Sequence, residues 1–69
     1  MKPIDMTLGE QIACWREYRK LTQEQVAKLA TCAPLTIRRA ERGDSVTMDT
    51  AHKIATALNV TLVINPRGQ

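Results

Sequence analysis

The sequence predicts an all-α domain of four short helices with one short β-strand at its C-terminal end, and three observations predict it. Thr7 with Glu10, and Thr22 with Gln25, have the spacing of capping boxes, in which a hydroxyl and a side chain three residues on satisfy each other's backbone N–H groups. Apolar residues then recur three and four apart from Leu8 to Leu58, the period of helices with one buried face. Beyond Asn59 the pattern changes to Thr61-Leu62-Val63-Ile64-Asn65, rich in β-branched residues and stopped by Pro66.

Residues 1–6 read as an N-terminal arm, because Pro3 and Asp5 disfavour regular structure. Thr7 opens a helix running to about Arg19, with Leu8, Ile12 and Trp15 as its buried stripe. A second helix runs from Gln23 to about Ala30 and turns Val26, Ala27 and Ala30 inward. Pro34 suits the first position of a third helix, where its missing N–H has no partner to lose. Gly43 suits the left-handed position just past that helix, which therefore spans about 34–42. Asp44-Ser45-Val46 is a loop, and Thr47 caps a last helix through Leu58 with Met48, Ala51, Ile54, Ala55 and Leu58 facing inward. Asn59 takes the left-handed turn that closes it. The domain is thus 7–60, with strand and tail over 61–69.

One strand cannot stand alone, since its edge groups need partners. Lys2-Pro3-Ile4 is a weak candidate neighbour. The economical expectation is that Thr61, Leu62, Val63, Ile64 and Asn65 pair with the same strand of a second copy, making a homodimer across a twofold axis.

Sixty-nine residues make one domain near the lower limit for a chain that folds on a single core. The net charge of +3 is modest, but three of the six arginines lie between Arg38 and Arg42, which favours a local anion-binding face. Cys14 and Cys32 have neither the spacing nor the partners for zinc, and are read as reduced thiols. His52 is the lone histidine, with no partner base or nucleophile, so no catalytic residue, metal or cofactor is expected. No apolar run approaches membrane-spanning length, and the chain is read as soluble and cytoplasmic, with no membrane partner.

The third helix carries the strongest signal. At about 100° per residue, Leu35, Arg38, Arg39 and Arg42 share an arc of roughly 100°, with Ile37 and Ala40 opposite. Guanidiniums crowded on one exposed face repel one another and gain little from water unless something anionic meets them.

TQEQVAKLA with its following turn, then Ile37, Glu41-Arg42-Gly43, Ile54-Ala55 and Ala57-Leu58, resembles the phage repressor/Cro class of helix-turn-helix domains, the XRE-like family, from about Leu8 to Val60. The resemblance implies double-stranded DNA as partner, with the second helix across the backbone and the third in the major groove. It implies that Gln23 binds a phosphate, that Arg16 pairs with Glu41 and faces a second phosphate, and that base edges are met at Pro34, Leu35, Arg38 and Arg39. Arg42, a turn later, meets the backbone.

Pro34 and Leu35 have no side-chain hydrogen bonds to give, which leaves them thymine methyl groups to touch. Arg39 and Arg38 then become the candidates for bidentate contact with guanine. Thr36, Ser45 and Thr47 are candidate phosphate ligands. Lys20 and Thr31 depart from the glycines common in relatives, so either a left-handed residue is strained at each place or the turn is built differently. The function expected is a sequence-specific regulator of transcription, a homodimeric autorepressor on a palindromic operator. The alternative is an antitoxin or similar protein whose main task is holding a toxin or other protein partner; several antitoxin-like members of the family are similar in carrying a C-terminal strand.

Overall fold

In a computed structural model, which describes residues 6–63, four helices follow in order: α1 (Leu8–Tyr18), α2 (Gln23–Ala30), α3 (Pro34–Arg42) and α4 (Met48–Leu58). Both expected capping boxes are made. Thr7 accepts from the Glu10 N–H at 3.1 Å while Glu10 accepts from the Thr7 N–H at 2.9 Å. Thr22 and Gln25 exchange the same pair at 3.0 and 2.7 Å. Thr47 caps α4 through the Thr50 N–H, and Pro34 stands at the start of α3.

Ile12, Val26, Ala27, Ala30, Ile37, Ala40, Ile54 and Leu58 form one buried cluster to which all four helices contribute. Leu8 and Trp15 cover it from α1 only partly buried. Helix α3 packs against α1 and α2, and α2 packs against α4. Small residues let the backbones come close: a Cβ built on Gly9 would lie 2.4 Å from the Ala40 carbonyl oxygen and 2.7 Å from that of Glu41. Only glycine lets α1 approach the end of α3 this way.

All four helices close with one hydrogen-bond pattern, in which two successive N–H groups beyond the helix reach back three and five residues. The pairs are Lys20 to Glu17 with Leu21 to Arg16, Thr31 to Lys28 with Cys32 to Ala27, Gly43 to Ala40 with Asp44 to Arg39, and Asn59 to Thr56 with Val60 to Ala55. The first residue of each pair is left-handed, at φ 59° for Lys20, 58° for Thr31, 102° for Gly43 and 58° for Asn59. The turns at Lys20 and Thr31 therefore keep the geometry of a glycine without having one. Thr31 is the more strained, since a β-branched side chain fits this region worst.

Two expectations change. Met48 does not face inward: it is 68% exposed, and the buried stripe of α4 begins a turn later at Ala51. Among the described residues no strand forms. Thr61, Leu62 and Val63 have no ladder partner there, and Ile64 and Asn65, like Lys2-Pro3-Ile4, lie outside the described residues. The place of a neighbouring strand is filled by a side chain. Gln11 is buried in α1; its Oε1 accepts from the Val63 N–H at 2.8 Å, and its Nε2 donates to the Val63 carbonyl at 2.7 Å and to that of Met6 at 3.3 Å.

Two substitutions separate these effects. Thr31→Gly is expected to stabilise the fold by roughly 0.5–1 kcal/mol, relief of strain less the entropy of a freer unfolded chain, read as a rise in melting temperature. Gly9→Ala is expected to destabilise by about 1–3 kcal/mol, because rigid helix backbone faces the new methyl group.

Candidate nucleic-acid interface

The amphipathic pattern of α3 is carried into three dimensions. Ile37 and Ala40 are buried at 0% and 3% exposure, while Pro34, Leu35, Arg38, Arg39 and Arg42 are exposed. Among the described residues neither Arg38 nor Arg39 has an ion-pair partner. Arg42 differs, with its Nη2 2.8 Å from Asp44 Oδ2. Pro34 and Leu35 place an apolar strip at the N-terminal end of this cationic face. Thr36 is half-buried on the flank.

The one acidic residue of α3 is turned away from that face. Glu41 lies against α1 and α2, its side chain 9% exposed. Arg16 grips it from α1 with two bonds, Nε to Oε2 at 2.6 Å and Nη2 to Oε1 at 3.2 Å. The remaining guanidinium nitrogen of Arg16 donates to the Leu21 carbonyl at 2.9 Å, tying in the turn before α2. The hydrogen bond to Glu41 raises the Arg16 pKa above its ordinary value against the opposing effect of burial. Each nitrogen of Arg16 thus makes one bond inside the protein, which makes it a structural partner of Glu41, while the second N–H of each terminal nitrogen is left over from these bonds.

Gln23, first residue of α2, joins the same knot by donating Nε2 to Glu41 Oε1 at 3.1 Å. A primary amide has two N–H donors. Glu41 takes one and so orients the other, beside the unpaired N–H groups of the first turn of α2, where an anion is favoured. Ser45 and Thr47 are exposed near the start of α4. The Thr47 hydroxyl is already engaged, accepting from the Thr50 N–H and donating to Thr50 Oγ1 at 2.9 Å. Of the expected contacts, α3 and the start of α2 bring Gln23, Glu41 and the arginine face together, with Arg16 joined to them through Glu41.

Sequence reasoning missed three residues that hold this arrangement. Gly9 admits α3 to α1. Gln11 lies inside the α1 stripe, three residues after Leu8 and four before Trp15, and a polar residue there was the available signal. Arg19 reaches α4, donating to the Leu58 and Asn59 carbonyls beside the Trp15 ring, where a cation suits a helix C-terminus. No local pattern marks a contact across 39 residues.

Other chemistry finds little to work with. Among the described residues no group of three His, Cys, Asp or Glu is placed to hold a metal ion. Burial pushes the Cys32 thiol above its ordinary pKa, so it is a poor nucleophile. No described helix is long and apolar enough to cross a membrane.

A helix-turn-helix family model matches residues 15–65, most of the chain and all of α2, α3 and α4. Among curated proteins no relative matches.

The knot makes a stability prediction independent of any ligand. Glu41→Ala leaves the Arg16 guanidinium half-enclosed without its carboxylate and is expected to destabilise by about 2–3 kcal/mol, measured by urea unfolding.

Proposed function

The chain belongs to the XRE-type helix-turn-helix family of DNA-binding transcription regulators, and from that premise we propose that it is a homodimeric repressor reading a palindromic operator through the major groove. The observation that carries this reading is the exposed pair Arg38 and Arg39, without an ion-pair partner among the described residues, on a helix whose opposite face is fixed by Ile37 and Ala40. Arg39, with Arg38 beside it, reads guanine by bidentate contact with O6 and N7. Leu35 and Pro34 touch thymine methyl groups. Gln23, through the N–H that Glu41 leaves over, meets a phosphate together with the start of α2. Thr36, Ser45 and the backbone before Thr47 add contacts along the strand, and Arg42 meets the backbone once α3 is seated.

The dimer rests on two physical arguments. One copy measures 29 Å in its longest direction. Successive half-sites on one face of B-DNA lie about 34 Å apart, so two readings need two copies. A residue can offer both its N–H and its C=O to a single side-chain amide only with extended backbone, in which neighbouring residues direct theirs to the opposite side. Gln11 takes those of Val63, which leaves the Leu62 edge for the same segment of a second copy. Bound near a promoter, such a pair acts by blocking polymerase.

A groove of ≈ 230 Å³ beside α4, lined by Met48, Ala51, His52, Ala55, Val60 and Leu62 among others, favours one alternative, an antitoxin-like protein that holds another protein there.

Selection of bound duplexes from a random pool is the test. The expected product is a palindrome with half-site centres about one helical turn apart. Arg39→Ala is expected to lose about 1–3 kcal/mol of discrimination at one position per half-site. Gln23→Ala is expected to weaken selected and shuffled duplexes alike. A pool that yields no common sequence, or an Arg39→Ala variant weakened equally on both duplexes, contradicts the reading.

A further inference from the structure

The residue that completes the closing turn of each helix is apolar and packed on the core in three of four cases: Leu21 after α1, Cys32 after α2 and Val60 after α4. After α3 that place belongs to Asp44, which is exposed. Its backbone is held by the Asp44 N–H on the Arg39 carbonyl at 3.0 Å, next to Gly43 on Ala40 at 3.2 Å. The carboxylate is thereby fixed beside the last turn of α3, with Oδ2 2.8 Å from Arg42 Nη2. The backbone bonds close the helix, but the side-chain pair does little for the fold. An anion at a helix C-terminus is disfavoured by the helix dipole, and an exposed ion pair returns little stability. The side chains are 64% and 48% exposed. What the pair does accomplish is to set a carboxylate against one guanidinium nitrogen of one of the three arginines on a single cationic face.

We propose that Asp44 is a specificity-determining residue: its carboxylate stands in for a phosphate on the Arg42 guanidinium and withholds Arg42 from the DNA backbone until α3 is seated in its operator. This rests on α3 being the helix that faces DNA. Carboxylate and phosphate offer a guanidinium the same paired acceptors, so the two compete for Arg42. Phosphate contacts supply nearly all of the affinity for unrelated sequences, and three free guanidiniums would hold the protein on any duplex. In a loosely bound complex no phosphate is held in place long enough to displace Asp44. In the seated complex one is fixed within reach, and an exposed pair is weak enough to give way.

The test measures binding of the full chain to a duplex selected from a random pool and to its shuffled version over a salt series. Wild type, Asp44→Asn, Arg42→Gln and the double variant are compared. Asp44→Asn is expected to melt like wild type and to bind the shuffled duplex about 3- to 10-fold more tightly. On that duplex its plot of log K against log salt is expected to steepen by about 0.9, one added phosphate contact, with the slope on the selected duplex unchanged. In the Arg42→Gln background the substitution is expected to leave both slopes alone. An unchanged slope for Asp44→Asn on the shuffled duplex overturns the proposal, as does steepening without Arg42. If wild type still prefers the selected duplex, that failure touches Asp44 alone. A wild type that binds both duplexes equally overturns the DNA-reading role of α3 as well.

Discussion

The bidentate grip of Arg16 on Glu41 is the constraint on which the remaining geometry depends. It joins α1 to α3 directly, and through the Leu21 carbonyl and Gln23 it joins both to the start of α2. Helix α3 is nine residues long, too short to hold its own orientation, and its hydrophobic hold on the core is Ile37 and Ala40. A second point of attachment on the same side of the helix stops it from rolling. Glu41 supplies that point and in doing so removes the only carboxylate of α3 from the arginine face. Positioning and electrostatics are thus the same interaction seen from two sides.

The helix ends show how so small a protein keeps its corners tight. Each uses the same pair of backward hydrogen bonds, and each needs a left-handed residue. Gly43 meets that need without strain, and Asn59 tolerates it better than most side chains. Lys20 and Thr31 hold the conformation against their own preference. What outweighs the strain is the residue that follows: Leu21 and Cys32 are each delivered onto the core by the turn. Where no apolar residue follows, at Asp44, the same turn instead presents a charge to the surface.

What the sequence disclosed is what local chemistry decides. Capping boxes, Pro34, Gly43 and Asn59 mark helix bounds because their partners lie within five residues. The two-faced character of α3 follows from its period alone. Met48 was misplaced because an apolar residue in the first turn of a helix fits the period without facing the core. Gln11 on Val63 and Arg19 on Leu58 join residues 52 and 39 apart, and no spacing rule reaches that far. The same limit applies to the C-terminal segment: β-branched residues suggest a strand, but a strand is defined by its neighbour. In the described residues that neighbour is the amide of one glutamine.

The central claim is that the arginine face of α3 lies in the major groove, and methylation interference tests it most directly. Dimethyl sulfate marks guanine at N7 in the major groove and adenine at N3 in the minor groove. On a duplex selected by the protein, the account predicts that N7 methylation of a guanine in each half-site prevents binding, while N3 methylation leaves it intact. Interference from adenine N3 alone, or from neither position, would contradict it.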